Sequence, residues 1–144
     1  MIRPGASPAG PRAGRLTELT LRCWEEWQRR DWDSMGTRMD PAIVMDDVPE
    51  QVVYRGAGPV RDRLERFVGS FPDGRIEVLA IHEAADSTIS ELSFHGTNTG
   101  PLDGHPPTGR SVSARFCEVF TFKGSTIVHV TTYYDRPGML QQVR

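Results

Sequence analysis

Between residues 75 and 135 the chain carries four consecutive segments, 75 to 83, 88 to 98, 110 to 123 and 126 to 135, rich in β-branched and aromatic residues that alternate with polar ones. Side chains on a strand point alternately to its two faces, so a period of two predicts half-buried strands. Lys123, Gly124 and Ser125 separate the last two segments as a hairpin turn does. Ahead of the strands the periodicity is helical. Leu16, Leu19, Leu21, Cys23, Trp24 and Trp27 form the apolar positions of an amphipathic helix running to about Met35, with Glu18, Glu25, Glu26, Arg29 and Arg30 between them. The stretch "YRGAGPVRDRLERFVGSF" predicts a second helix with Pro59 near its first turn. Between the helices, a turn at Asp40-Pro41 opens a short strand in "MDPAIVMDD". Helices followed by a strand meander define an α+β fold, a curved antiparallel or mixed β-sheet wrapped over N-terminal helices with a cavity between the layers.

A chain of 144 residues buries one core and not two. Residues 1 to 14, "MIRPGASPAGPRAG", cannot bury enough apolar surface to offset their conformational entropy and read as a disordered arm, leaving 15 to 144 as a single domain. A net charge of -2 gives no reason to expect nucleic acid as a partner. Apolar runs are too short for a membrane span or a signal peptide, so a cytoplasmic location is expected. Cys23 and Cys117 are too few and too far apart for a zinc cluster or a CxxC pair, and read as reduced, buried apolar side chains.

The stretch "FHGTNTGPLDGHPPTGRSV", residues 94 to 112, interrupts the sheet with a loop rich in glycine and proline. Gly96, Gly100, Gly104 and Gly109 let the backbone leave one strand and rejoin the next, while Pro101, Pro106 and Pro107 stiffen the crossing. Together with the strand ending "VHVTTYYD" and the closing "DRPGMLQQV", this loop resembles the SnoaL-like polyketide cyclases of the nuclear transport factor two-like superfamily over residues 16 to 143. The resemblance implies a cone with an internal pocket, a small hydrophobic polyketide-like substrate and a place in antibiotic biosynthesis. The family pattern at the loop is GTHTG, and this chain has Asn98 in place of the histidine. The superfamily also holds isomerases, epoxide hydrolases and binding proteins, so the fold alone does not assign a reaction.

Candidate chemistry lies on the strand faces. Phe116, Glu118, Phe120 and Phe122 share one face, placing a single carboxylate in an aromatic row. Facing the cavity, Glu118 would have its pKa raised by desolvation and serve as a proton donor; facing outward, it would meet water or a dimer partner. Asp46 shares a face with Ala42 and Val44, and "VMD" before a glycine and a helix resembles the strand bearing the general base of ketosteroid isomerases, in which an ionised base works beside a neutral donor. Asp47, on the other face, reads as solvated. On the last strand Val128, Val130, Thr132 and Tyr134 form the inward face, with Tyr134 a pocket aromatic whose hydroxyl orients a substrate carbonyl. The resemblance puts an acidic residue on this strand, at the position of Thr132, a departure from the family's aldol cyclases. Asp135 is either that acid or the N-cap of a terminal helix. His95 joins the pocket if the polar face of "TISELSFHG" turns inward. Trp24 and Trp27 line or floor the cavity, or are plain core. Asp73 reads as a turn residue or a second acid beside Asp46.

No phosphate loop, dinucleotide glycine motif, nucleophile elbow or metal-ligand spacing is present in the sequence, so a cofactorless acid/base site is expected. The catalytic set read from the sequence is Asp46, Glu118, Tyr134 and Asp135, with Trp24, Trp27, His95, Phe116, Phe120 and Thr132 binding substrate. The reaction is a ring closure or isomerisation. Aldol chemistry requires an acid near residues 132 to 135, whereas epoxide opening requires a carboxyl pair such as Asp46 with Glu118 or Asp73. A non-catalytic module that binds a small hydrophobic ligand or dimerises is the alternative. A homodimer through the open sheet face is expected in either case.

Overall fold

The computed structural model describes residues 14–144; the arm expected over residues 1 to 14 lies, apart from Gly14, outside the described residues. The first helix, α1 (Arg15–Gln28), ends earlier than its periodicity suggests. Arg30 adopts φ 61°, a left-handed conformation that no helix continues through, and Asp31 restarts the chain as N-cap of α2 (Trp32–Gly36) by accepting from the Ser34 amide at 3.1 Å. β1 (Met39–Asp47) follows and then β2 (Val52–Arg55), a short edge strand absent from the sequence reading. α3 (Ala57–Ser70), β3 (Arg75–Glu83), β4 (Ser87–Thr97), β5 (Ser111–Lys123), β6 (Thr126–Tyr134) and α4 (Arg136–Val143) complete the fold.

The six strands form one mixed, unclosed sheet in the order β2-β1-β6-β5-β4-β3. All pairs are antiparallel except β1 with β6. Register shifts interrupt β3 between Val78 and Ala80 and the β5/β6 pair between Thr121 and Phe122, and such bulges coil a sheet. The second one changes which residues face inward: Ile127, not Val128, is buried together with Val130 and Thr132. α1 lies on β3 and β4, and α3 on β1 and β2.

Polar pins as well as apolar area hold the helices in place. Thr20 and Thr88 share a buried hydrogen bond of 2.8 Å, and Trp24 Nε1 donates to Ser90 Oγ at 3.0 Å. The first turn of α1 is capped from the sheet, where Glu83 Oε1 accepts from the Thr17 amide at 2.6 Å. Phe94 sits at the centre, its ring 6.4 Å from Trp27, 5.0 Å from Phe67, 5.6 Å from Phe71 and 6.1 Å from Phe116. Truncating such a residue to alanine costs about 3–5 kcal/mol. Cys23 is fully buried and its thiol is pushed up to about 12, chiefly by burial. Cys117 is free and only partly buried. No described helix is long and apolar enough to cross a membrane.

The loop between β4 and β5 is tied down by Asn98, which is 1% exposed. Its Nδ2 donates to the Gly100 carbonyl at 2.9 Å and to the Ser70 carbonyl at 3.3 Å, and its Oδ1 accepts from the Thr108 amide at 2.9 Å. One side chain thereby joins both arms of the loop to the end of α3. The loop presses so closely on α3 that a Cβ at Gly100 would collide with the Gly69 carbonyl. Asn98→Ala leaves these buried groups unsatisfied and is expected to lower stability by about 2–3 kcal/mol. Gly100→Ala is expected to destabilise as well, because backbone has to move. Thermal melts of both variants check this.

Candidate active site

The space between helices and sheet is a narrow cavity with about 50 Å³ of free volume. Its walls are aromatic and aliphatic: Trp24 and Trp27 from α1, Phe67 from α3, and Phe94, Phe116 and Phe120 from the sheet among them. Only Arg63 and Glu118 bring charge to the lining.

Glu118 reaches the cavity because β5 buries its even-numbered positions Val112, Glu118, Phe120 and Phe122. It is 8% exposed, and burial in this apolar setting pushes its carboxyl up to about 7 from an ordinary 4.5. Thr132, its cross-strand neighbour, donates Oγ1 to Glu118 Oε2 at 2.7 Å. That bond and the nearby Arg63 charge favour the carboxylate and hold the rise in check, while Asp47 adds to it. Thr132 is thus inward as expected, but acts on Glu118 and does not line the cavity wall.

Arg63 and Asp47 are the two site residues that sequence reasoning missed. Asp47 is fully buried, and Arg63 donates Nη2 and Nε to its Oδ2 at 2.6 and 3.1 Å. A second carboxylate, Glu50, lies 3.6 Å from Arg63 Nε, and burial raises its pKa. With Nε and Nη2 committed to Asp47, Nη1 has no hydrogen-bond partner among the described residues. Arg63 occupies the same stripe of α3 as Val60, Leu64 and Phe67, which is the signal that it lies on the inner face.

Several sequence expectations are corrected. Asp46 does share a face with Val44, but that face is the outer one, where Asp46 pairs with Val53 and Thr131; Ile43, Met45 and Asp47 are the buried positions of β1. Asp46 therefore does not meet Glu118 in the cavity, and Asp47 is not solvated. His95 lies on the outer face of β4 with Ile89, Glu91 and Ser93, bonded to Ser93 Oγ at 3.1 Å and Ser113 Oγ at 2.9 Å, so it is no pocket residue. Asp135 is exposed and caps α4, accepting from the Gly138 amide at 3.1 Å. Asp73 accepts from the amide and hydroxyl of Thr97 at 2.7 and 2.8 Å, as a turn residue. Tyr134 is half-buried and stacks on Phe116 with ring centres 4.5 Å apart, but it does not line the cavity itself. Burial raises its pKa, so its hydroxyl stays protonated. Trp24, Trp27, Phe116 and Phe120 line the cavity.

Among the described residues no cluster of three His, Cys, Asp or Glu side chains is arranged to hold a metal ion. The site is a buried carboxyl near half-protonation at neutral pH, beside a guanidinium ion-paired with Asp47. It can exchange one proton with a ligand and offer a cationic hydrogen bond to a developing oxyanion.

The raised pKa has a cost in stability. Between pH 4.5 and about 7 the folded state holds the Glu118 proton more tightly than the unfolded chain does, so this residue's contribution falls as pH rises through that window. The difference corresponds to about 3 kcal/mol. In chemical denaturation across pH, Glu118→Gln is expected to remove most of the loss and to be more stable than the wild type near pH 8.

The family model for the SnoaL-like polyketide cyclases matches residues 17–143. No curated protein matches the sequence. Among solved structures, a candidate SnoaL-like polyketide cyclase from Jannaschia sp. CCS1 superposes with a TM-score of 0.81 at 17% identity, over 93% of this chain and 97% of that one. IdmH, a candidate polyketide cyclase from Streptomyces antibioticus, gives 0.79 at 19% identity, over 90% and 98%. AclR, a candidate hydroxylase from Streptomyces galilaeus, gives 0.77 at 23% identity, over 88% and 82%. At these identities the structural likeness carries the fold alone, while the sequence match spans nearly all of the described chain. That sequence match, running from α1 to α4, makes this chain a member of the SnoaL-like polyketide cyclase family.

Proposed function

We propose that this protein is a cofactorless acid/base cyclase or isomerase for a polyketide-like carbonyl substrate, with Glu118 as the group that moves the proton. One observation carries the reading: the cavity's single carboxyl is pushed to about 7 and lies in reach of the Arg63 charge. A pKa near the working pH is the optimum for a group that both takes and returns a proton.

Glu118 removes a hydrogen α to a carbonyl as a proton, and the electron pair moves onto the carbonyl oxygen. Arg63 Nη1 donates to that enolate oxygen. In a ring closure the enolate carbon then bonds to a second carbonyl carbon, and the alkoxide so formed takes the proton back from Glu118. In an isomerisation the proton returns to a different carbon. Thr132 holds Oε2 and leaves Oε1 for the substrate. The aromatic walls fold the substrate so that its reacting carbons meet, which itself lowers the barrier.

Arg63 would serve the oxyanion of an enolate or of an opened epoxide alike; carbonyl chemistry is preferred because Glu118 is the single carboxyl of the cavity lining and epoxide opening requires a carboxyl pair. A pocket meant only to hold a ligand would turn its carboxylates to water, and Glu118 is turned inward. We also read the uncovered sheet face, where Ile89, Val53 and Tyr133 are exposed, as the pairing surface of a homodimer.

The test is exchange of the α-hydrogens of 2-tetralone, a bicyclic ketone, in D2O, followed by NMR. Glu118→Gln is expected to slow exchange by about 10²–10⁴-fold with the fold retained. Arg63→Lys, which lacks the planar fork, should lose at least about tenfold. The rate should rise with pH through about 7, and Thr132→Val should move that limb upward, because a hydrogen bond favouring the carboxylate is gone. A rate that falls as pH rises would make Glu118 a general acid and contradict its role as the base. An undiminished Glu118→Gln rate would end the proposal.

A further inference from the structure

The cavity's free volume of about 50 Å³ holds a few water molecules and no polycyclic ligand. Pockets for such ligands begin at about 300 Å³. A substrate must therefore displace part of the wall and occupy adjoining space. Two depressions adjoin the cavity, one between α2 and α3 of about 290 Å³ and one between α1 and β3 of about 350 Å³. Their sizes do not choose between them; the partitions do.

Toward the α1–β3 side the partition is Trp24 and Ile76. Trp24 is fixed at both ends, with Nε1 bonded to Ser90 Oγ at 3.0 Å and its ring 5.2 Å from that of Phe120. The backbone at Ile76 is held to Gln28 Oε1 at 2.9 Å. Toward the α2–α3 side the partition is Met35, Met39 and Leu64. None of these carries a polar anchor, and methionine changes rotamer at low cost. Outside them, α2 and α3 are bridged by Arg61 and Asp33 at 2.7 Å, with side chains 47% and 89% exposed. So exposed a pair holds the helices together only weakly.

We infer that the depression between α2 and α3 is the entrance and outer subsite of the substrate cavity, with Met35, Met39 and Leu64 as the partition that swings aside. The inference rests on the reading of the cavity as a substrate site. The ligand it fits is flat and apolar at its inner end, against the tryptophans and phenylalanines. Its outer end lies by Trp32 and carries a hydroxyl or carbonyl able to bond Arg61 and Asp33.

Gly58 and Gly36 line the outer depression, and a Cβ added at either meets nothing within 4 Å, so both positions have open space for a side chain. The probe is 9-anthracenemethanol, a neutral tricyclic alcohol. Its binding is followed by quenching of Trp24, Trp27 and Trp32 in stopped flow, with thermal melts as the check on folding. Gly58→Leu and Gly36→Leu are expected to slow association at least about tenfold, and Met39→Ala to speed it. Arg75→Trp, which obstructs the depression at the other side, should leave it unchanged. If the glycine variants bind at the wild-type rate, or if Arg75→Trp is the variant that slows, the inference is overturned while the cavity reading stands. A wild type with no saturable binding overturns both.

Discussion

Arg63 and Asp47 meet where neither has water to turn to, and the remainder of the site is arranged around that pair. Removing one partner of a buried pair leaves an uncompensated charge at a cost of about 3–5 kcal/mol, so α3 is locked to the end of β1. The pair also sets the charge balance of the cavity. Asp47 opposes the effect of the guanidinium, and Arg63 moderates the effect of burial on Glu118 without reversing it. Without Asp47 the arginine would lower the Glu118 pKa further, and without the arginine it would rise further. The intermediate result, a carboxyl poised near neutrality, depends on both residues together.

Around this polar pair the apolar walls and the polar pins divide the work. Phe94, Phe71 and Trp27 supply buried apolar area. Trp24–Ser90 and Thr20–Thr88 fix where α1 sits, since a misplaced helix would leave those groups unpaired in the core. The β4–β5 loop, the most unusual stretch of the sequence, belongs to this architecture: Ser70 Oγ adds a bond to the Pro101 carbonyl at 2.7 Å, and the Asn98 amide binds the loop to the end of α3. Its place at the foot of α3 links the loop to the helix that carries Arg63.

Much of this was legible in the sequence, and the failures have physical reasons. The strands from 75 onward announced themselves because each has one apolar face; Leu92 and Phe94 against Glu91 and His95 already carried the parity that puts His95 outside. Glu118 was legible for the same reason, being the one charge in an aromatic row. β1 offered no such signal. In "AIVMDD" both faces are apolar, because the strand lies between β2 and β6 and its outer face is also partly covered, so alternation could not say which aspartate turns inward. Arg63 was hidden by its type, since an arginine on an apolar helix stripe is usually read as surface. The break between α1 and α2 depends on Arg30 adopting a left-handed conformation, and its side chain is anchored to the carbonyls of Pro72 and Gly74 at 3.2 and 2.5 Å, contacts that no local pattern encodes.

The central claim is that one buried carboxyl titrates near neutral pH, and the most direct measurement is carbon-13 NMR of the side-chain carboxyls of the full chain across pH, with Glu118→Gln to assign the resonance. The expected result is one glutamate resonance titrating at about 7 that is missing from the variant. A spectrum in which every glutamate titrates near its ordinary value of about 4.3 would contradict it and leave the cavity without its proton carrier.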